Sequence, residues 1–343
     1  MKPAAWAEAL LARNWWQPRR TALSRLLQPL AWLYGRLAQR HRAATVAGHA
    51  PVPVVVVGNL VAGGAGKTPT VIALVKAMAN AGRHPGVVSR GYGRKGRDVR
   101  PVLPASRADV VGDEPWLIQR RTEVPVWVGQ DRLAAARALC QQHPEIDVLV
   151  LDDGLQHHAL AADAAVVVFD ERGVGNGALL PAGPLREPLP APVPGHWRVL
   201  YTSGSCSTAW PGALATRRLG SAWPLQAWSV GDASRCLPLQ AFRGRHLVAA
   251  AGLAAPEKFF GMLEALGLHI ERLPLPDHHR YDRLPWPAGT AEVITTEKDA
   301  SKLISAQLGT TAVWVVPLDL HLPDGFASDL IALLNRVHHN PGP

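Results

Sequence analysis

Cysteine is scarce in this sequence. Its 343 residues include only three cysteines, and these are scattered without any metal-ligand spacing: Cys140, Cys206 and Cys236. A sparse, odd set of cysteines argues against a disulfide scaffold and against a cysteine-based zinc site. We therefore expect the chain to work in a reducing compartment, in the cytosol or on the cytosolic face of a membrane.

A long uninterrupted apolar run is also missing. A membrane-spanning helix needs about 18 consecutive residues with few or no charges, and arginines interrupt every candidate stretch near the start of the chain. The same arginines argue against a cleavable signal peptide, and no small-residue cleavage site follows them. With 48% hydrophobic and 18% charged residues, the composition is that of a globular protein, neither disordered nor embedded in a membrane.

Acidic residues are nearly absent from the first 45 positions. This segment holds eight Lys and Arg residues against Glu8 alone, so it carries +7 of the net charge of +9. Leucines recur there at roughly helical spacing, together with four of the 12 tryptophans. Tryptophan prefers the headgroup level of a bilayer, and a basic amphipathic helix is attracted to anionic lipid. We predict a helix or helix pair on an anionic membrane surface, bent or broken at Pro29; the alternative is an ordinary amphipathic helix packed on the core.

Beyond this segment, predicted strands and helices alternate. The run from Val52 to Leu60 is short, β-branched and nearly all apolar, which is typical of a buried central strand. A glycine-rich loop and a helix follow it, and the later runs "VPVWVGQ", "IDVLVLDD" and "AAVVVFDE" predict further strands. The expected fold class is α/β, a P-loop parallel sheet with helices on both faces. We predict a basic Trp-rich membrane-associating helical segment at 1–45, a P-loop core domain at 46–235 and a smaller C-terminal α/β domain at 236–343.

The glycine-rich loop reads "VAGGAGKTPT" and lacks the first glycine of the pattern G-x-x-x-x-G-K-[ST], because Val61 stands there. Val61 is tolerable if the chain leaves the strand without a positive φ at this position. Lys67 can reach the β- and γ-phosphates, and the Thr68 hydroxyl can ligate Mg²⁺. Backbone N–H groups of the loop can converge on phosphate oxygens at the start of the next helix. The predicted nucleotide-binding residues are Gly63, Gly64, Ala65, Gly66, Lys67, Thr68 and Pro69.

Two signatures of other nucleotide-binding proteins are missing. ATPases with a second lysine carry K-G-G-x-G-K-[ST], and Ala62 occupies that lysine position here, which argues against a partitioning-type ATPase. The guanine-reading sequence N-K-x-D is absent as well, which argues against a GTPase. The stretch "TEKD" at 296–299 is superficially similar but out of register with the loop.

Two acidic pairs are candidate site residues. Asp152 and Asp153 follow a run of four apolar residues, so a carboxylate is expected at the end of a strand beside the loop, where such folds support Mg²⁺. The alternative is an acidic turn that caps the next helix. Asp113 and Glu114, in "VGDEP", are expected at the end of another strand, as catalytic residues or as helix caps.

A histidine pair follows Asp277 in the sequence "PDHH". Adjacent histidines rarely converge on one metal ion without further Cys or His ligands nearby. A histidine that orients a carboxylate during acid–base work is the more economical interpretation.

Seven motifs occur in an order that resembles one protein family. Along the chain they are "VGNLVAGGAGKTP", "SRGYGR", "VGDEP", "LDDGLQH", "LLPAGPLREP", "PDHH" and "TTEKD", between about residues 45 and 305. Together they resemble the tetraacyldisaccharide 4'-kinase family of lipid A biosynthesis, which also lacks the first loop glycine and has a basic, Trp-rich N-terminus. The resemblance implies ATP-dependent transfer of the γ-phosphate to the 4'-hydroxyl of a tetraacylated glucosamine disaccharide 1-phosphate, forming lipid IVA. It also implies a peripheral location at the cytoplasmic face of the bacterial inner membrane.

The resemblance implies roles for individual residues, with ATP and Mg²⁺ as cofactors. Lys67 and Thr68 would hold the phosphates and Mg²⁺, with Asp152 or Asp153 supporting the metal. Asp113 would be the general base, paired with His278 or, as the alternative, His279, and Glu114 would be a nearby metal or water ligand. The residues implied to face the sugar lipid are Gln156, His157, Arg186 and Glu187, together with Arg90, Tyr92 and Arg94.

Two other functions compete with this interpretation. The main rival is a membrane-associated P-loop ATPase that uses hydrolysis for conformational work and has no phosphate acceptor. A nucleic-acid-binding protein is less favoured, because the basic residues concentrate in a Trp/Leu-rich segment far upstream of the loop. The expected partners are the lipid acceptor and an anionic membrane surface, with no nucleic acid and no obligate protein partner evident.

Overall fold

A computed structural model describes residue 11, residues 13–277 and residues 279–339, with side chains described up to residue 336. His278 and the first ten residues therefore lie outside the described part of the chain. From residue 22 onward the helices are α1 (Ala22–Leu26), α2 (Gln28–Ala44), α3 (Lys67–Asn80), α4 (Ala108–Val111), α5 (Asp113–Thr122), α6 (Arg132–Gln142), α7 (Leu225–Val230), α8 (Pro256–Ala265), α9 (Glu297–Ala300) and α10 (Phe326–His339). Short 3₁₀ turns occupy Ala233–Arg235, Leu239–Phe242 and Ser305–Gln307.

The described strands form three sheets. The eight-stranded sheet contains β1 (Val54–Gly58), β2 (Pro85–Ser89), β3 (Arg100–Val102), β4 (Val126–Val128), β5 (Val148–Asp152), β6 (Ala164–Phe169), β7 (Trp197–Tyr201) and β8 (Ala213–Leu214). The five-stranded sheet contains β10 (Trp223–Pro224), β11 (Leu247–Ala251), β12 (Ile270–Pro274), β13 (Glu292–Thr296) and β14 (Ala312–Val316). A two-stranded ribbon pairs β9 (Thr216–Leu219) with β15 (Leu318–His321).

The large sheet has the order β3-β4-β2-β5-β1-β6-β7-β8, with β1 near its centre. Its strands pair in parallel, except that the edge strand β3 runs antiparallel to β4. Successive side chains of a strand point to opposite faces. Accordingly, Val55 and Val57 pack with apolar residues of α3, α5 and α10, whereas Val54 and Val56 pack with those of α6. The expected mixed α/β fold with a parallel sheet and helices on both of its faces is confirmed.

The five-stranded sheet has the order β10-β14-β13-β11-β12 and is parallel except for the short edge strand β10. After this sheet the chain returns to the large one, because Phe326, Leu330 and Leu334 of α10 share an apolar cluster with Val55. The predicted boundaries of the three parts of the chain stay a prediction.

The two N-terminal helices pack on the Gly/Pro-rich loop that follows β6. The Ser24 hydroxyl donates to the Ala182 carbonyl at 2.7 Å, and the Tyr34 hydroxyl donates to the Arg186 carbonyl at 3.1 Å. A break between the helices occurs at Leu27, and Pro29 lies in the first turn of α2. Proline fits there because its missing N–H would have no helical partner anyway. Pro29 therefore begins the second helix rather than ending the first.

One face of these helices exposes large apolar side chains. Leu26, Trp32 and Leu37 are each more than half exposed, at 76%, 58% and 55%. The guanidinium of Arg36 lies over the Trp32 ring, 4.2 Å from its centroid. None of the helices in the described ranges is long and apolar enough to pass through a bilayer.

Candidate active site

The glycine-rich loop connects the buried strand β1 to helix α3. Val61 is buried and forms an isolated antiparallel bridge with Leu185, and it is absent from the non-glycine residues of positive φ in the described chain. Positive φ occurs instead at Gly63 and Gly66, with values of 94° and 90°. The condition under which a valine could replace the first glycine is therefore met.

Hydrogen bonds to three carbonyls fix the shape of the loop. The Asn59 side-chain amide donates to the Gly63 carbonyl at 3.0 Å. The Thr202 hydroxyl donates to the Ala65 carbonyl at 3.0 Å, and Arg172 Nη2 donates to the Gly64 carbonyl at 2.7 Å. Because its carbonyls are engaged from outside, the loop is preorganised before any phosphate arrives.

Lys67, the first residue of α3, lies among polar groups from three segments. Its ammonium is 3.3 Å from Asn59 Oδ1 and 3.4 Å from Asp153 Oδ1. Asp153 also lies 3.3 Å from Arg186 Nη1, which in turn donates to Gln156 Oε1 at 3.1 Å. Burial raises the pKa of Asp153, but Lys67 and Arg186 outweigh that effect and hold the pKa below its ordinary value. Asp153 is therefore the ionised member of the acidic pair.

Asp152 differs from its neighbour because it faces other carboxylates. It is buried at the end of β5, where the Ser89 hydroxyl donates to Oδ2 at 3.0 Å. Burial and the charges of Glu114 and Asp153 raise the pKa of Asp152 to about 7. Among the described atoms nothing hydrogen-bonds to the buried Asp152 Oδ1. An orphaned carboxylate oxygen in a cluster of like charges fits a divalent cation.

This cluster does not form a complete cation cage by itself. In the described residues, no group of three or more His, Cys, Asp or Glu side chains is arranged to hold a metal ion. Mg²⁺ is usually bound through one or two carboxylates together with substrate phosphates and water. The donors present therefore fit a magnesium ion that is shared with a nucleotide.

The position of Asp113 and Glu114 differs from the expectation. They open helix α5 instead of ending a strand, and the segment before them is the short helix α4. Two valines before a glycine suggested a strand, but Gly112 has a φ of 99° and redirects the chain between two helices. The first turn of a helix favours carboxylates because its N-terminus carries partial positive charge. The sequence hypothesis of a strand was wrong. Both acids lie in the first turn of a helix, but neither caps it, because the N-cap residue is Gly112 and no side-chain hydrogen bond caps this end.

Lysines near the second sheet contact this acidic pair. The Lys302 ammonium lies 3.1 Å from Asp113 Oδ2, and the Lys298 ammonium lies 3.6 Å from Glu114 Oε1 and 3.0 Å from Asp277 Oδ1. Burial lowers the pKa of Lys298, but these carboxylates outweigh it and raise the pKa overall. The sequence analysis gave neither lysine a role, although Lys298 lies within the quoted "TTEKD" motif and Lys302 follows it four residues later.

The histidine expected to pair with Asp113 cannot be placed, because His278 lies outside the described residues. Its neighbour His279 stacks edge-on against Tyr281, with ring centroids 4.8 Å apart. The pairing of Asp113 with His278 or His279 stays a prediction.

A cleft of about 190 Å³ opens between the two larger sheets. Its polar lining comes from the phosphate loop and Glu114, and includes Gly64, Gly66, Lys67 and Thr68. Its apolar lining includes Ile72, Leu253, Phe259, Met262 and Val316. A cleft that combines a phosphate loop with apolar side chains suits a nucleotide.

The residues implied to face the sugar lipid divide into three groups. Gln156 and Arg186 contact each other beside Lys67 and Asp153. His157 and Glu187 line a second cavity of about 290 Å³, near Arg42 at the end of α2. Burial, followed by the charge of Arg132, lowers the pKa of His157 to about 4, so the imidazole is neutral at physiological pH.

The third group lies on the loop after β2. Arg90 and Tyr92 are exposed, whereas the Arg94 guanidinium forms an ion pair with Asp98 at 3.7 Å. Arg94 is thus already engaged within its own loop, and the three side chains do not converge on the cleft as a set.

Three further cations around the phosphate loop had no sequence signal. Asp170, at the end of β6, accepts from Arg172 and from Lys258 of α8, the latter at 2.9 Å. Arg172 also lies over the Trp16 ring, 4.2 Å from its centroid. Arg217 lines the cleft beside Gly66. These residues are far from the loop in sequence, and only the folded arrangement brings them to it.

Comparisons with known proteins agree with this geometry. The family described as tetraacyldisaccharide-1-P 4'-kinase matches residues 23–335. The tetraacyldisaccharide 4'-kinase of Leptothrix cholodnii is 53% identical over 91% of this chain and 92% of its own length, and that of Methylibium petroleiphilum is 49% identical over 94% and 92%. The structure is similar to that of LpxK from Aquifex aeolicus, solved in complex with ATP. The TM-score is 0.72 at 26% identity, over 92% of this chain and 99% of the other. The chain therefore belongs to the tetraacyldisaccharide 4'-kinase family, and it is a kinase.

Proposed function

We propose that this kinase transfers the γ-phosphate of ATP to the 4'-hydroxyl of a tetraacylated glucosamine disaccharide 1-phosphate, which forms lipid IVA in lipid A biosynthesis. ATP binds in the cleft between the two larger sheets. These sheets lie mainly in the predicted parts 46–235 and 236–343. One observation carries the proposal: Glu114, next to Asp113, lines the same cleft as Lys67 and Thr68. A base and a phosphate-binding loop at one cleft can perform an in-line transfer.

In the proposed reaction Asp113 is the general base. The 4'-oxygen forms a bond to the γ-phosphorus while the bond from that phosphorus to the β–γ bridging oxygen breaks, and ADP leaves. The proton of the hydroxyl passes to the Asp113 carboxylate. Lys67 and the N–H groups of residues 63–69 neutralise charge on the phosphates. Lys302, 3.1 Å from Asp113, stabilises the ionised form of the base.

The residues assigned to Mg²⁺ are Thr68, Asp152, Asp153 and Glu114. Asp152 supports this assignment, because its Oδ1 has no hydrogen-bond partner among the described atoms and the nearby charges of Glu114 and Asp153 add to burial in raising its pKa. When bound, Mg²⁺ neutralises negative charge on the β- and γ-phosphate oxygens.

The acceptor lies on the side of the loop nearest the N-terminal helices. Gln156, His157, Arg186 and Glu187 are assigned to the sugar and its phosphate, with Arg90, Tyr92 and Arg94 as further contacts. Two contacts support this side: the Tyr34 hydroxyl on the Arg186 carbonyl, and Arg42 Nη1 at 3.5 Å from Glu187 Oε2. The helices that would carry the acyl chains therefore adjoin the residues that would bind the sugar.

The same helices are proposed to hold the enzyme peripherally on the cytoplasmic face of the inner membrane. Their exposed leucine and tryptophan side chains can enter the headgroup region, and the arginines beside them favour anionic lipid. An amphiphilic acceptor could then be reached without full extraction into water.

Incubation of the purified protein with ATP, Mg²⁺ and the disaccharide 1-phosphate lipid tests the proposed function. We expect a bisphosphorylated lipid by mass spectrometry, and ADP formation that depends strongly on the lipid. Rapid ADP formation without the lipid, and no lipid product, would favour the membrane-associated ATPase instead.

A further inference from the structure

We infer that Arg217 binds the γ-phosphate of ATP and stabilises its charge during transfer, as an arginine supplied in cis. This inference rests on the proposed ATP cleft and adds a residue that none of the sequence motifs contains. Arg217 lies on β9, in the ribbon that connects the two larger sheets. Its side chain lines the same cleft as Gly64, Gly66 and Lys67.

The position of the guanidinium is fixed against the loop. Arg217 Nη2 donates to the Thr202 hydroxyl, which itself donates to the Ala65 carbonyl at 3.0 Å. A Cβ atom built on Gly66 would stand only 2.9 Å from Arg217 Nη2. The guanidinium therefore touches the backbone immediately before Lys67, where a nucleotide's phosphates are expected.

Arg217 also lacks a close counter-charge. Among the described side chains, no carboxylate lies within ion-pair distance of its guanidinium, and its buried Nε has no hydrogen-bond partner. Burial lowers the pKa of Arg217, although an arginine remains charged in proteins. Glu171 and Asp170 attract this charge, but only from beyond ion-pair distance. An anion in the cleft would therefore complete the site of this partly buried cation.

The other cations around the loop are already engaged with acids. Lys67 lies 3.4 Å from Asp153, and both Arg172 and Lys258 contact the buried carboxylate of Asp170. Of these cations beside the loop, Arg217 is thus the one whose charge is available to bind a phosphate. Its function differs from that of Arg172, which donates to the loop carbonyl of Gly64.

The γ-phosphate is the group that this placement favours. Backbone N–H groups of a phosphate loop enclose the inner phosphates, while the loop lysine spans the β- and γ-phosphates. Arg217 is not part of that loop and reaches the cleft from β9, so its guanidinium is left for the outermost phosphate. An arginine at that phosphate stabilises charge that develops on the transferred group, as arginine fingers do.

The test compares Arg217→Met and Arg217→Lys with Arg218→Met in the full-length protein. Arg218 is the next residue of β9, is exposed and does not line the cleft, so it is a matched control for loss of one arginine. We would measure kcat and KM for ATP in the lipid assay, and the Kd of ADP and of the β,γ-imido analogue of ATP by calorimetry.

We expect Arg217→Met to lower kcat by about 10²- to 10³-fold, the usual loss for one charge-stabilising donor. Binding of the imido analogue should weaken by about 10-fold or more, the value of a hydrogen bond to a charged group, while ADP binding stays within about twofold. Arg217→Lys should recover part of kcat because it keeps the charge. Arg218→Met should behave like the parent protein in every measurement.

Two results would overturn the inference. One is a kcat in Arg217→Met equal to that in Arg218→Met. The other is an equal weakening of ADP and analogue binding, which would make Arg217 a support of the loop. If circular dichroism shows that Arg217→Met is unfolded, the Arg217→Lys variant tests the inference instead. That variant must then show a lower kcat than the parent protein without a change in ADP binding. Failure of the proposed function is distinct, because the unmodified protein would then form no phosphorylated lipid.

Discussion

The ammonium of Lys302 lies 3.1 Å from the carboxylate of Asp113. The two residues belong to different parts of the fold, since Asp113 opens helix α5 and Lys302 follows α9 beside the second sheet. Both side chains are largely buried, at 5% and 14% exposure. One ion pair therefore links the proposed base to the segment beside the second sheet.

Replacing Lys302 by alanine should lower kcat, because the Asp113 carboxylate would lose the cation that orients it. We also expect a loss of about 1–3 kcal/mol in the free energy of unfolding, the cost of leaving a buried polar group without its partner. Steady-state kinetics and urea unfolding measure the two effects. Lys302→Arg should restore part of kcat, and Lys95→Ala, at an exposed lysine, serves as the control. An unchanged kcat in Lys302→Ala would separate the ion pair from the reaction.

Lys67→Ala and Thr68→Ala should each reduce transfer by about 10²-fold or more while leaving the fold intact. Both side chains belong to the polar lining of the cleft rather than to an apolar cluster. Product formation and far-UV circular dichroism give the two readouts. Lys76→Ala, at an exposed position of the same helix, is the control. Activity near that of the control in either variant would remove the loop from the mechanism.

The exposed face of α2 should determine binding to anionic vesicles. Trp32→Glu combined with Leu37→Glu should release the protein into the supernatant in a sedimentation assay, since both exposed apolar side chains become charged. Salt alone should weaken binding of the parent protein only partly, because the apolar contribution is not screened. Val230→Glu, at a still more exposed apolar residue of α7, is the control. If the double variant sediments with the vesicles as the control does, the exposed face of α2 does not determine membrane binding.

His157 should contribute to loss of stability in mild acid. Its pKa is about 4 in the folded protein, whereas that of an unperturbed histidine is about 6.5, so the unfolded chain binds a proton first as the pH falls. The stability attributable to this group is complete above pH 6.5 and declines between about 6.5 and 4. The Tm of His157→Gln should therefore fall less between pH 7.5 and pH 5 than that of the parent protein. His246→Gln, at an exposed histidine, should show no such gain, and a gain of equal size there would exclude His157 as the cause.

Local sequence pattern was sufficient to predict the strand, the glycine-rich loop and the helix of the candidate phosphate site. A fully buried β-branched strand, closely spaced glycines and a following helix are each encoded within a few residues, and β1, the loop and α3 appear where they were predicted. Local pattern failed at Val110 and Val111, where a strand was predicted and a helix is found. Two valines fit a strand or a helix equally well, and the positive φ of Gly112 here separates helix α4 from helix α5.

The cations of the site could not be predicted in the same way. Arg172, Arg217 and Lys302 acquire their significance from neighbours that lie many residues away in sequence. Their placement depends on how the ribbon of β9 and β15 and the second sheet fold back over the loop. No periodicity or spacing in the sequence predicts these long-range contacts.

The kinetics of Asp113→Ala over a range of Mg²⁺ concentrations tests the assignment of the base most directly. We expect kcat to fall by about 10²- to 10⁴-fold, the usual contribution of general base catalysis. The KM for ATP should change little, since the phosphate loop is untouched, and added Mg²⁺ should not restore kcat. A normal kcat reached at a higher Mg²⁺ concentration would contradict the account, because Asp113 would then be a metal ligand and the base would have to be Asp152 or Asp153.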